Sequence, residues 1–444
     1  MSRAALNYSP KIQQVHETLD GINPLRVYGK VNRVVGIVIE GLGPGSSVGS
    51  LCDIYPRGCK TPITAEVVGF QKSRIFLMPI GPISGIAPGS RIVALKTKPA
   101  VNVSSKMLGR ILDGMGNPID DKGPIDAEAE YPLYVDPINP MKRSIITDPL
   151  DVGVKSINAL LSIGKGQRMG IFAGSGVGKS VLLGMIAKNT KADVTVIGLV
   201  GERGREVREF IERDLGPEGL KKAVVVAATS DQPPLIRIRG AHIATAIAEF
   251  FRDQGKDVLL LMDSVTRLAM AQREVGLATG EPPTTKGYTP SVFAFLPRLL
   301  ERAGNVSRKG SITGLYTVLV EGDDMNDPIA DSVRSIIDGH IVLSRDLAMR
   351  SHYPAIDVLQ SISRVMFDIV KKDHLAASRK FIEILDTYRK SEDLIKIGAY
   401  VKGTIKKTDY AITMIDKLNS FLLQDKNENI SFNECVAIMR SLVT

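Results

Sequence analysis

The sequence predicts a three-part α/β architecture: a small β-barrel, a parallel sheet covered by helices on both faces, and a helical domain. Three observations predict it. Short β-rich runs fill 25–95, apolar strands alternate with helical stretches over 148–367, and a helical period without comparable strands fills 368–444. At 444 residues the chain is also too long for one ordinary core.

Taken in order, Ser9 and Pro10 suit the N-cap and first position of a helix, and Ile12, Val15, Leu19 and Ile22 then fall on one face before Asp20-Gly21 and Asn23-Pro24 break it. This predicts a short amphipathic helix over 1–24, either a docking element or a cap on the next domain. The runs VYGKVNRVVGIVIEG and PITAEVVGF, separated by Gly43-Pro44-Gly45 and Pro88-Gly89, predict the barrel over 25–95. The stretch 96–147, with GRILDGMGNPIDDKGPI and prolines at 132, 137 and 140, reads as a linker. Strands are expected at 169–172, 194–200, 223–228, 258–262, 312–320 and 341–344. No internal repeat interrupts this order.

Composition excludes several classes. With 44% hydrophobic and 24% charged residues, and no apolar run approaching the ~18 residues that span a bilayer, nothing is expected to cross a membrane. The opening MSRAALNYSPKIQQVHETL lacks the apolar core of a secretory signal, so a cytoplasmic protein is expected. Cys52, Cys59 and Cys435 form neither an even set nor a C-x-x-C pair, which argues against a disulfide framework or zinc site. The five histidines show no metal-ligand spacing. The formal charge of +9 suits an anionic partner, but no basic block or aromatic-interleaved stripe appears, and no specific nucleic acid is expected.

Chemistry concentrates in RMGIFAGSGVGKSVLLGMIAK, an apolar strand, a glycine-rich turn and a helix. Such a turn lets backbone N–H groups converge on phosphate oxygens at a helix N-terminus. The P-loop comprises Ala173, Gly174, Ser175, Gly176, Val177, Gly178, Lys179 and Ser180, followed by Val181. In such a loop Lys179 would reach the β- and γ-phosphates of ATP and Ser180 would place its hydroxyl on Mg²⁺. Ala173 stands where the standard pattern has Gly. Asp263, directly after VLLLM, has the context of the carboxylate that holds Mg²⁺, directly or through water. Glu202, after the strand at 194–200, is a candidate to orient the attacking water. Their convergence follows from the strand-end rule for parallel sheets, provided that the strands are neighbours.

With GERGREVREF after the P-loop, the chain resembles over most of its length the catalytic-subunit superfamily of rotary ATPases, and more closely the export ATPases of bacterial type III secretion. LGRILDGMGNPID, IFAGSGVGKS, GLVGERGREVREF, FFRDQGKDVLLLMDSVTRLAMAQREVGLATGEPP, SVFAFLPRLLERAG and YPAIDVLQSISR carry the resemblance, the last including the signature P-A-I-D-x-x-x-S-x-S. The resemblance implies a RecA-like P-loop domain and Mg²⁺-dependent ATP hydrolysis by a homo-oligomeric ring of six. It also implies roles: Glu202 as the catalytic glutamate, Arg203 and Arg267 beside the triphosphate, Tyr353 against adenine, and Arg364 as an arginine finger reaching the neighbouring subunit's site. Phe421 lies near a second adenine-side aromatic of the pattern but is left unassigned.

Within that superfamily, IGAYVKGTIKKTDYAI is basic where the catalytic subunits of ATP synthases are acidic, which favours export over synthesis. The wording leans toward flagellar members over virulence-type ones, with no deciding residue. The resemblance implies a stalk protein in the ring channel, met by loops 281–290 and 322–328, and a regulatory dimer on the helix over 1–24. It further implies contact with an export gate and chaperone–substrate complexes at the cytoplasmic face of the inner membrane. An ATP-synthase-type subunit, an injectisome ATPase and a ring-shaped RNA translocase are the alternatives. Glu202 argues against a non-catalytic ring subunit.

Overall fold

The computed structural model describes residues 27–443 except 59–60, 82, 96–98, 308–309, 321 and 323. The helix expected over 1–24, Cys59 and Asp323 lie outside the described residues. The chain divides into two compact units, one up to Lys98 and one from Pro99.

In the first unit, β1 (Tyr28–Val35), β2 (Val38–Leu42), β3 (Leu51–Tyr55), β4 (Ile63–Gln71), β5 (Arg74–Pro79) and β6 (Arg91–Ala94) close into a barrel in the order β1-β2-β5-β4-β3-β6. Alternation along the strands turns Val31, Ile39, Cys52, Ile54, Val67, Leu77 and Ile92 into a common interior. Closure through pairs such as Tyr28 with Val93 leaves the barrel no open edge.

The second unit is built on a nine-stranded sheet. Its path runs Ile362–Ser363, Gly339–Leu343, Arg168–Ala173, Ser311–Leu319, Asp257–Asp263, Val194–Val200, Ala223–Ala228 and Ile111–Asp113, with Gly304–Asn305 paired onto Ser311–Leu319. All neighbours on the path are parallel except Ile362–Ser363. Every residue of Val194–Val200 is buried, as a strand covered on both faces requires. On one face Ile171, Ile197, Leu199, Val225 and Leu261 join a core with Leu182, Leu183 and Ile186 of helix Lys179–Asn189. Helix Pro234–Asp253 packs against the central strands as well.

The stretch expected as a linker supplies structure to this unit. Ile111–Asp113 is the sheet's edge strand, beside Ala223–Ala228, and Ala100–Val103 pairs with Ala129–Pro132. Asp113 then closes a turn by accepting the N–H groups of Met115 and Asn117, both at 2.8 Å. The Arg110 guanidinium grips Asp120 at 2.7 and 2.9 Å and holds its carboxyl down to about 2.

Helices Lys372–Lys396, Lys406–Leu422 and Phe432–Val443 end the chain. Phe421 is buried among them, its ring 5.6 Å from that of Phe381, and is part of their core. No helix among the described residues is long and apolar enough to cross a membrane.

Candidate active site

Strand Arg168–Ala173 delivers the chain into the glycine-rich turn. Ala173 is still a strand residue, its Cβ in the core, which is why Ala can stand at the loop's first position. Gly176 and Gly178 follow with φ of 79° and 86°, and Gly178 caps the helix that begins at Lys179. A residue with a Cβ would be strained there by ~1–2 kcal/mol. The helix's first N–H groups have no intrahelical acceptor and its positive dipole end faces the loop, so the turn is built to receive an anion. Val177 is buried and anchors the loop, whereas Ser175, Gly176 and Ser180 are exposed.

Strand order brings the charged residues together. Ala173 pairs with Leu319, Met262 with Tyr316 and Leu199 with Asp263, so four strand ends lie along one edge. There the Lys179 ammonium donates to Asp263 Oδ1 and lies 3.5 Å from Glu202 Oε1. Arg267, on the helix Val265–Ala278, stands 3.8 Å from the same Glu202 oxygen. Gly201 allows this approach: a Cβ there would come within 2.8 Å of Arg267 Cβ. Glu202 is 8% and Asp263 4% exposed, so both carboxylates depend on these cations. Thr317, which the sequence reading did not single out, donates from Oγ1 to Asp263 Oδ1 at 2.6 Å. Thr317 is one of four hydroxyl side chains in the run SITGLYTVL, and nothing in that run sets it apart without the strand order.

Tyr353 flanks the loop on another side. A Cβ on Gly178 would lie 3.3 Å from Tyr353 Cε1, and the Tyr353 side chain is partly open to solvent. Its carbonyl accepts the Gln424 backbone N–H at 3.0 Å. The buried Gln424 side chain in turn accepts from the Lys155 N–H at 2.8 Å and donates to the carbonyls of Gly153 and Glu428 at 2.8 and 3.0 Å. Gln424, also absent from the sequence reading, thus ties the helical domain to Tyr353.

Two predicted residues are not brought to this cluster. Arg203 is exposed and pairs with Glu206 at 3.5 Å. Arg364 donates its N–H to Asp338 O at 3.0 Å, while Asp338 donates to Arg168 O at 2.8 Å. Arg364 therefore stands beside the start of the strand whose end opens the P-loop, roughly 17 Å away at ~3.3 Å per residue. The signature serines hold it there. Ser363 donates to Ser162 O at 2.8 Å and accepts from Gln167 Nε2 at 3.1 Å. Ser361 donates to Asp357 O at 2.6 Å and accepts the Val342 N–H at 2.9 Å. Asp357 is gripped by Arg389 at 2.8 and 3.0 Å.

Loops 281–290 and 322–328 meet through Lys286, which lies 3.1 Å from Asp327 and 3.6 Å from Asp324. Asp327 also caps helix Pro328–Ile336. A cavity of about 240 Å³ opens beside the P-loop, lined among others by Phe172, Gly174, Val320, Met325 and Gln360. The charged cluster does not line it, so the chemistry is placed at the cluster.

The Ser180 hydroxyl and the Asp263 carboxylate are hard oxygen donors at this edge. Among the described residues no group of three or more His, Cys, Asp or Glu could cage a metal. Two protein oxygens, completed by phosphate and water, fit a divalent cation that arrives with a nucleotide.

Residues 153–363 match the model of the ATP synthase alpha/beta family, nucleotide-binding domain, and 370–441 match the T3SS EscN ATPase C-terminal domain. The flagellum-specific ATP synthase of Bacillus subtilis is 55% identical over 439 residues, covering 97% of this chain and 99% of that protein. The assembled ATPase EscN of the enteropathogenic E. coli type III secretion system is 43% identical with a TM-score of 0.88, over 94% of this chain and 100% of that one. EscN in complex with its central stalk EscO gives a TM-score of 0.86 at the same identity and coverage.

Proposed function

This chain belongs to the ATP synthase alpha/beta family, among the flagellum-specific and type III secretion ATPases, and on that premise we propose that it hydrolyses Mg²⁺-ATP as a homohexameric ring energising flagellar protein export. The single observation that carries the reading is the juxtaposition of Lys179 with Glu202 and Asp263 at the mouth of the P-loop, with Arg364 held at the opposite edge.

Backbone N–H groups of 174–180 and the Lys179 ammonium hold the phosphates, and Tyr353 packs against adenine. Ser180 and Asp263 would hold Mg²⁺, which would supply neutralisation of the phosphate charge. Glu202 orients and polarises the attacking water, and Arg267 keeps the Glu202 carboxylate in place. Arg364 of a neighbouring protomer meets the charge that develops in the transition state, an effect typically worth about 10³–10⁵ in rate. Arg203 joins the triphosphate side once its exposed pairing with Glu206 opens.

The ring takes a stalk protein in its channel, against loops 281–290 and 322–328, by analogy with EscN and its central stalk EscO. The segment 1–24 docks a regulatory dimer, and the ring works at the cytoplasmic face of the export apparatus with its gate and chaperone–substrate complexes. The match over 370–441 supports export over an ATP-synthase role. The higher identity to the flagellum-specific protein than to EscN supports the flagellar over the injectisome reading.

The test is ATP turnover per chain from nanomolar to micromolar protein, with assembly followed by mass photometry. Turnover should rise with the hexamer fraction and rise further with a stalk protein. A monomer as active as the ring would overturn the reading.

A further inference from the structure

We propose that Thr317 is a positioning residue that fixes the Asp263 carboxylate and thereby sets the affinity for the divalent cation bound with ATP. The inference rests on the reading of Asp263 as the cation-holding carboxylate.

Thr317 is fully buried on the strand that separates the P-loop strand from the Asp263 strand, and its register partner on the P-loop strand is Ile171. Its hydroxyl has one proton and two oxygens in reach: Asp263 Oδ1 at 2.6 Å and Met262 O at 3.4 Å. The shorter contact, to an ionised acceptor, takes the proton. Oδ1 of Asp263 then receives both Thr317 and Lys179, which reserves Oδ2 for the cation or its water.

The two donors differ in what they do when nucleotide arrives. Lys179 is on a flexible stem and moves to the phosphates, as its place in the P-loop demands. Thr317 sits in a buried strand with a stiff, β-branched side chain and stays. It then remains as the side-chain donor that keeps the carboxylate from rotating. A second hydroxyl supports the same edge: Thr266 accepts the Leu319 N–H at 2.8 Å and donates to Leu319 O at 3.3 Å, fixing the start of helix Val265–Ala278 to the end of strand Ser311–Leu319. Valine has the same branched shape as threonine and lacks only the hydroxyl donor, so Thr317→Val removes the hydrogen bond without opening a cavity.

The experiment titrates Mg²⁺ against binding of a fluorescent ADP analogue to the full chain, for wild type, Thr317→Val, Thr317→Ala and Thr317→Ser. A lost hydrogen bond to a charged group predicts that Thr317→Val and Thr317→Ala need about tenfold more Mg²⁺ for half-maximal binding and lose about tenfold in kcat. Binding of the metal-free analogue in EDTA stays unchanged, and Thr317→Ser restores the Mg²⁺ midpoint. An unshifted midpoint in Thr317→Val or Thr317→Ala, or a serine variant as impaired as the valine one, overturns the proposal. Asp263→Asn separates the two readings. If it keeps the wild-type Mg²⁺ dependence, the cation role of Asp263 fails; if it loses that dependence while Thr317→Val keeps it, only the role of Thr317 fails.

Discussion

Arg364 and Asp338 are joined by a backbone hydrogen bond of 3.0 Å at the edge of the sheet opposite the P-loop. Because Asp338 is bonded in turn to Arg168, each chain carries Arg364, the proposed finger, and its phosphate loop at the two ends of one strand. No side-chain rotation brings Arg364 to Lys179 of the same chain. A site that uses both must be shared between protomers.

Glu202→Gln should lower kcat by at least about 10², the lower end of what a positioned base contributes. Amide and carboxylate have nearly the same shape, so nucleotide affinity should hold. Steady-state turnover beside fluorescent-nucleotide binding checks both. Wild-type turnover with intact binding would remove Glu202 from its role.

Tyr353→Ala should raise KM for ATP by an amount corresponding to ~1–3 kcal/mol of base stacking, with Tyr353→Phe near wild type. Gln424→Ala should move KM in the same direction, because the Lys155 N–H and the carbonyls of Gly153 and Glu428 lose their partner. Each buried group left unpaired costs about 1–3 kcal/mol, so the melting temperature should fall too. An unchanged KM in Gln424→Ala, which keeps the backbone N–H bonded to Tyr353 O, would show that the Gln424 side chain does not set the position of Tyr353.

Acid stability depends on His242. Burial, with the Arg302 guanidinium beside it, pushes its imidazole down to about 3, and Arg302 donates to the neutral ring at 3.1 Å. The unfolded value is about 6.5, so the unfolded chain binds the proton more readily in between. His242 therefore contributes stability that is complete above pH ~6.5 and lost as pH falls toward 3. Thermal unfolding of His242→Gln should show a shallower loss between pH 6.5 and 4 than wild type; parallel curves would contradict the assignment.

How far the sequence carried depends on what is local. The runs at 194–200 and 258–262 were legible because both faces of those strands are buried and their apolar character is unbroken. Ile111–Asp113 was not, since it is three residues long among glycine, proline and aspartate, and only its pairing with Ala223–Ala228 makes it a strand. The P-loop was legible because positive φ at Gly176 and Gly178 restricts residue type. The contacts of Lys179 with Asp263 and of Tyr353 with Gln424 depend on strand order and on docking of the terminal helices, which no local pattern encodes. Phe421 illustrates the converse, an aromatic near the right place in sequence that serves the helical core.

The central claim, one active site completed by two chains, is tested most directly by mixing two inactive variants. Lys179→Ala lacks the phosphate lysine and Arg364→Ala lacks the finger, and each alone should be inactive. In a mixed ring, the intact P-loop of an Arg364→Ala chain can meet the finger of a Lys179→Ala neighbour. ATP turnover should therefore reappear on mixing and peak near equal amounts. Turnover no greater than the sum of the separate variants, in rings shown to be mixed, would contradict a site shared between protomers.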